Sequence, residues 1–212
     1  MAYRIRRGQG NDAPAVAELI YSSGPDVFEY MFGHGSLPAI DVIKRTFKKG
    51  RGFLGARAHF VVEDMATRQV VAVISSYDKL QYIKLAIFTV RDLFQVYPGY
   101  EAVSVLRRCF KIQSRVKSPG FFSLYFANIG VHQDFQSLGI GSMMFDEIRH
   151  LARYKFIRAY IGDVSVENHG ARRLYEKVLG FRPEFVADFP GTTVKSVFRM
   201  NRPARLQPEP SE

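Results

Sequence analysis

Residues 128–144 read NIGVHQDFQSLGIGSMM and set Gln136, Gly139 and Gly141 between an apolar strand pattern and an apolar helix pattern. A plain connection does not need glycines in alternation. The first turn of a helix carries amide groups with no partner inside the helix, together with a partial positive charge, and so attracts anions. Glycine removes the Cβ that would hold a bulky anion off the backbone. The chemistry on offer is a cradle over residues 136–142 for a phosphate or pyrophosphate. The plain alternative is a tight turn, which Gly-x-Gly also makes.

Three phosphate loops compete for this spacing. A P-loop needs Lys and Ser or Thr after its glycines, but Ser142 and Met143 follow Gly141. A dinucleotide fingerprint needs a third glycine where Met144 stands, and it opens the first strand-helix unit, whereas this loop lies late in the chain. The third type is Gln/Arg-x-x-Gly-x-Gly/Ala after a strand ending in Val, and it fits. A second block, DVSVENHGARRLYEKVLGF, follows at residues 163–181.

The two blocks together resemble the GNAT superfamily of acetyl-CoA-dependent N-acetyltransferases. The first is similar to that family's acetyl-CoA loop. The second is similar to its Asn-x-x-Ala-x-x-Leu-Tyr-Glu…Gly-Phe pattern, carried here by Asn168, Ala171, Leu174, Tyr175, Glu176, Gly180 and Phe181. The likeness is sharp over 121–182 and holds as element order over 3–76 and 184–200. Residues 78–120 lie outside it. Gln133 stands where the family often has Pro, and Ser137 where it often has Gly. Neither change removes a needed group, although the Ser137 side chain narrows the loop.

The resemblance implies a fold, a reaction and a set of roles. The fold is α/β: a mixed, mostly antiparallel twisted sheet with helices on both faces, here with a helical insertion. The reaction is transfer of the acetyl group of acetyl-CoA, a cosubstrate, to a primary amine by direct attack, with no metal. Backbone N–H groups of Gln136, Ser137, Leu138, Gly139, Ile140, Gly141 and Ser142 would hold the pyrophosphate. The pantetheine arm would pair with the backbone at Ile129 and Val131, as an added strand does. Asn168 would bond that arm, or serve as a helix N-cap, or do both. Attack by the amine requires loss of a proton, and the leaving thiolate benefits from an acid. Tyr175 is the candidate acid, because a phenol is protonated at neutral pH; the alternative is a core tyrosine beside Leu174. Asp163 is the candidate base: in some ribosomal-protein N-terminal acetyltransferases, which the chain resembles at FANIGV, a carboxylate at the matching position serves as base, and an Asp inside an apolar strand is costly unless paired or functional. Its alternatives are a solvated strand end or a salt bridge to an Arg. A water held by Asn128 and Tyr125 is another route for the proton.

These groups need elements to place them. YRIRR (3–7) alternates as a first strand, and a helix follows with Asp12 as N-cap and Pro14 in its first turn. A second helix is expected over 38–49. HFVVED (59–64) and QVVAVISSY (69–77) form a hairpin. Residues 121–131 form a strand, 139–153 an amphipathic helix, 159–166 a strand and 168–179 a helix with Gly180 at its C′ position. FRPEFVADF (181–189) and TTVKSVFRM (192–200) close the sheet. The plan is one domain over 1–200, with residues 201–212 as a loose tail. Within the insertion, 81–96 and 101–116 read as helices. The insertion follows the hairpin, so it is expected either as a lid over the acceptor or as a dimer surface.

Composition bounds the rest. The chain has 212 residues, 47% hydrophobic, which suits one sizeable core. No apolar run reaches the ~18–20 residues of a membrane span. The first residues lack a signal peptide's apolar stretch, so a cytoplasmic protein and no membrane partner are expected. One cysteine, Cys109, excludes an internal disulfide, and the histidines have no metal-ligand spacing. The formal net charge of +10 gathers at Lys44–Arg57 and Arg107–Lys117. That charge allows a second function, binding of nucleic acid, but no aromatics interleave the basic clusters as a stacking platform requires. A third reading is a non-catalytic acyl-CoA sensor, against which Tyr175 argues. The acceptor, a small amine or a protein amine, is not specified by the sequence.

Overall fold

The computed structural model describes residues 2–152 and 156–204. Its strands are β1 (Tyr3–Arg7), β2 (His59–Asp64), β3 (Val70–Tyr77), β4 (Ser123–Val131), β5 (Ala159–Ser165), β6 (Arg182–Ala187) and β7 (Val197–Pro203). They form one sheet in the order β1-β2-β3-β4-β5-β7-β6. All neighbours are antiparallel except β4 and β5, which are parallel. This is the mixed, mostly antiparallel sheet expected.

Helices cover both faces. On one side, α1 (Ala13–Ser22), α2 (Pro25–Phe32) and α3 (Ala39–Lys49) pack on Val61 and Val73. The insertion adds α4 (Lys79–Val96) and α5 (Gly99–Gln113), which reach the same core through Leu93, Tyr97, Ala102 and Val105. On the other side, α6 (Ile140–Leu151) and α7 (His169–Arg173) cover Phe60, Val62, Ala72, Ile74 and Phe126. Strand β2 is therefore buried at every position, which explains why Phe60, Val61 and Val62 are apolar on both faces of the strand. Phe145 of α6 meets Phe126 of β4 at 4.9 Å and Tyr160 of β5 at 5.5 Å between ring centroids. Burying such a ring contributes about 1.5–3 kcal/mol, and here it fixes α6 across the two parallel strands.

Several expectations are corrected by packing. Helix α2 was not foreseen; Phe28 and Phe32 make its buried face. Asp12 ends a 3-10 turn and does not cap α1 with its side chain; its carboxylate instead accepts two bonds from Arg6, at 2.7 and 2.8 Å. Strand β7 begins at Val197, because Thr192 folds the preceding segment into a turn through its bond to the Phe189 carbonyl. It runs on through Asn201–Pro203, which pair with β5 and β6, so the expected tail begins later. The helix over 168–179 is α7 followed by a π-helical turn, Leu174–Val178. Arg153, in the expected 139–153 helix, lies outside the described residues.

Candidate active site

Strands β4 and β5 pair only from Ser123–Ala159 to Phe126–Gly162. Beyond that point β5 pairs with β7 alone and β4 with β3 alone. The two parallel strands therefore part like a fork. In an open α/β sheet, the carboxyl ends of parallel strands are where ligands enter. Both helix-opening motifs lie at that end: the loop into α6 follows β4, and Asn168 follows β5.

The fork is shaped by a bulge in β4. The β3–β4 register slips by one residue between Val73–Gly130 and Ser75–Ala127. Asn128 takes the extra place with φ 51°. Its amide donates to His59 Nε2 at 3.1 Å, while His59 Nδ1 lies 2.9 Å from the Gly55 carbonyl. That arrangement requires a neutral ring with its proton on Nδ1. Full burial lowers the His59 pKa from its ordinary value to about 4. The folded state thus holds His59 neutral while the unfolded chain protonates it near pH 6.5. Stability from this group is full above pH 6.5 and is lost as pH falls from 6.5 toward 4. The thermal midpoint is expected to fall across that window by the equivalent of about 3 kcal/mol, and to fall less in His59→Gln. Asn128, named with Tyr125 as a holder of a water, gives one amide N–H to the ring.

The loop after β4 has two residues in the left-handed region, Ser137 at φ 63° and Gly139 at φ 79°. Such alternation aims successive amides into one concavity. Among the described residues, the N–H groups of residues 137–142 have no hydrogen-bond partner. The Gln136 side chain donates to the Val131 carbonyl at 3.2 Å and ties the loop back to β4. The two glycines divide the labour. Space in front of Gly139 is open. A Cβ on Gly141 would lie 2.8 Å from Leu174 Cδ2, so this glycine lets α6 approach the π turn. Ser137 sits where only glycine is unstrained, which is the cost of the departure noted in the sequence.

At the fork's base, Tyr175 is 4% exposed. Its ring lies on Gly162, where a Cβ would meet the hydroxyl oxygen at 2.7 Å. The π turn, closed by Leu179 N–H on the Leu174 carbonyl at 2.9 Å, turns Tyr175 toward β5. Burial first, then the Asp163 charge, push its pKa above the ordinary phenol value. Asp163 stands opposite Arg199 in the β5–β7 register. Arg199 is 2% exposed and binds both carboxylate oxygens, at 2.5 and 3.0 Å, and the Lys117 carbonyl at 2.7 Å. The Tyr125 hydroxyl also donates to Asp163. Burial raises the Asp163 pKa above the usual carboxylate value, with Arg199 opposing it. Tyr77 stacks on Tyr125 at 5.2 Å, and Phe53, together with Tyr82 of α4, completes an aromatic wall. Asn168 caps α7 through Oδ1 to Ala171 N–H, 2.9 Å, which leaves its Nδ2 free to donate.

Gly162, Arg199 and His59 were missed in the sequence. A glycine inside the run AYIGDVSV is the usual sign of a close approach and was the one legible hint. Burial pushes the Cys109 thiol up to about 12, which fits packing and not nucleophilic work. Among the described residues no cluster of His, Cys, Asp and Glu could hold a metal. A cavity of about 300 Å³ between α3 and α4, away from the fork, is lined by Arg45, Lys48 and Lys49. These cations sit at the C-terminal end of α3, where they complement the helix dipole.

Residues 108–181 match the family model described as the acetyltransferase (GNAT) family. That segment is similar to the GNAT family. Solved structures agree on the GNAT fold. An N-acetyltransferase from Staphylococcus aureus Mu50 is similar at 16% identity with a TM-score of 0.67, over 94% of this chain and all of that one. The ribosomal-protein-S18-alanine N-acetyltransferase from Escherichia coli is similar at 13% identity and TM-score 0.52, over 100% and 99% of the two chains. The protein yncA from Salmonella typhimurium, solved with its cofactor acetyl-CoA, is similar at 15% identity and TM-score 0.52, over 96% and 94%. No curated protein matches the chain by sequence. The matched GNAT segment spans β4, α6, β5 and α7, the elements that build the fork.

Proposed function

We propose that this protein is an N-acetyltransferase that moves the acetyl group of acetyl-CoA to a primary amine. The observation that carries the reading is the fork between β4 and β5 with unpartnered amides at its open end. A pyrophosphate fits amides 137–142 and the α6 dipole, with Gly139 leaving room. Peptide groups at Ile129 and Val131 face away from β3, since His132 N–H bonds the Val71 carbonyl on that side. They offer the pantetheine arm a strand edge; the Val131 carbonyl is already taken by Gln136, so its N–H does the pairing. Asn168 Nδ2 donates from the other side of the fork.

In the chemical step the amine nitrogen bonds to the thioester carbon, and the carbon–sulfur bond then breaks. Tyr175 gives its proton to the departing sulfur, and its raised pKa keeps that proton available. Asp163 receives the proton lost by the amine. The Tyr125 hydroxyl, which donates to Asp163, passes it on. Burial moves the carboxylate pKa toward the value a base near neutrality needs. A second reading has its own observation: the paired Arg199 makes Asp163 a structural cross-strand ion. Release of free thiol from acetyl-CoA with an amine panel separates them. In Asp163→Asn, a base role predicts a kcat loss of about 10²–10⁴-fold, unchanged acetyl-CoA affinity, and loss of an acid limb lying above the usual carboxylate range. Full kcat in this variant would leave Asp163 a structural residue. No transfer to any amine by the wild type would leave acyl-CoA binding without catalysis.

One domain over 1–200 and a cytoplasmic setting belong to this proposal. The setting rests on use of a polyanionic thioester and on the lone, half-buried thiol of Cys109. Among the described residues no helix is long and apolar enough to cross a membrane. The expectation of a lid or dimer surface over 78–120 divides: Tyr82 and Leu85 of α4 pack beside Tyr77 and Tyr125, which supports an acceptor wall at the start of α4.

A further inference from the structure

Helix α4 turns an apolar seam outward. Leu80, Ile83, Ile87, Val90 and Phe94 are 70%, 44%, 66%, 43% and 46% exposed. They recur at alternating steps of three and four, so they form one stripe along the helix. Lys84 and Arg91 are exposed beside it, and Arg107 and Lys111 are exposed on α5. No acidic residue of either helix is exposed: the Asp92 carboxylate accepts from the Arg51 and Gly52 amides at 2.7 Å, and Glu101 accepts from Ser36. A stripe of aliphatic and aromatic side chains flanked only by cations is the pattern of a surface that lies on anionic lipid.

Charge decides against a second copy on this face. Pairing of two copies brings Lys84 and Arg91 of both onto one seam with no exposed acid of either helix to offset them. An anionic bilayer has no such difficulty, because aliphatic tips enter the headgroup region while the cations reach up to it.

We propose that the outer face of α4 docks this protein reversibly on anionic membrane surfaces, with Ile87 at the centre of the buried stripe and Lys84 and Arg91 as its electrostatic anchors. This is surface association without a span. It revises the expectation of no membrane partner, which rested on the lack of a spanning run. Docking in this way leaves the fork's open end, on the α6 and α7 side, free for its ligand.

Flotation of the full chain with vesicles tests it. Wild type is expected to float with phosphatidylcholine vesicles holding about a third phosphatidylserine, to stay behind with pure phosphatidylcholine, and to be released by salt. Each cation near such a surface contributes about fivefold, so Lys84→Glu and Arg91→Glu should each weaken partitioning about thirtyfold. Ile87→Glu should abolish it. All three positions are exposed, so circular dichroism of the variants should match the wild type. Failure of the wild type to float with the anionic vesicles overturns the proposal. So does flotation that the three variants retain. A wild-type dimer in light scattering that Ile87→Glu turns to monomer would assign the face to a second copy and overturn it as well.

Discussion

Replacing Tyr175 by phenylalanine is expected to lower kcat by about 10²–10⁴-fold, the usual worth of a positioned acid, and to leave acetyl-CoA affinity unchanged. The substitution removes one oxygen and keeps the ring. That ring packs edge-on against Phe181 at 4.9 Å and flat against Gly162. The hydroxyl has no hydrogen-bond partner among the described residues, so its loss leaves stability within about 0.5 kcal/mol. A fall in kcat at constant affinity and constant thermal midpoint thus isolates the chemistry. Because the tyrosine pKa lies above its ordinary value, the wild type should also keep its rate into alkaline solution beyond the point where a free phenol ionises. Steady-state rates against pH, with both substrates saturating, check this. An unchanged kcat in Tyr175→Phe would return Tyr175 to the core.

Arg199→Met should be the most destabilising single change near the fork. The guanidinium holds both Asp163 oxygens and the Lys117 carbonyl, and it is almost fully buried. Methionine fills much of the volume but leaves a buried carboxylate with only the Tyr125 hydroxyl. Removing one partner of such a pair costs about 3–5 kcal/mol, or about a 10 °C fall in thermal midpoint for a chain of this size. The double variant Asp163→Asn with Arg199→Met removes both charges and should recover most of that loss. Thermal scans of the three variants measure it. A single variant as stable as the wild type would show that the pair carries little.

The shape of the loop into α6 and the place of Tyr175 were legible because their reasons are local. Gly139 reports a positive φ, and a strand running into an apolar helix reports a free helix start. Asn168 and Tyr175 sit within one short motif. The pairs that hold the site were not legible. Asp163 meets Arg199 across 36 residues, and Asn128 meets His59 across 69; no periodicity announces which strands become neighbours. Gly141 also admits the close approach of Leu174, which spacing alone does not announce. The sequence of α4 is apolar on most faces and favours a helix by its length alone, and which of its faces turns to solvent depends on where α3 and α5 pack. The start of β7 was misplaced for a similar reason. Thr192 and Thr193 favour strands by type, but the Thr192 hydroxyl makes a turn.

The central claim, that amides 137–142 and the parted strands receive acetyl-CoA, is tested most directly by isothermal titration of wild type and Gly139→Trp with acetyl-CoA. Gly139 faces open space at φ 79°, so a tryptophan there fills the cradle and strains the loop without entering the core. Micromolar binding by the wild type, lost in the variant whose circular dichroism is unchanged, is the predicted result. Absence of binding by the wild type, or equal binding by both proteins, would contradict it.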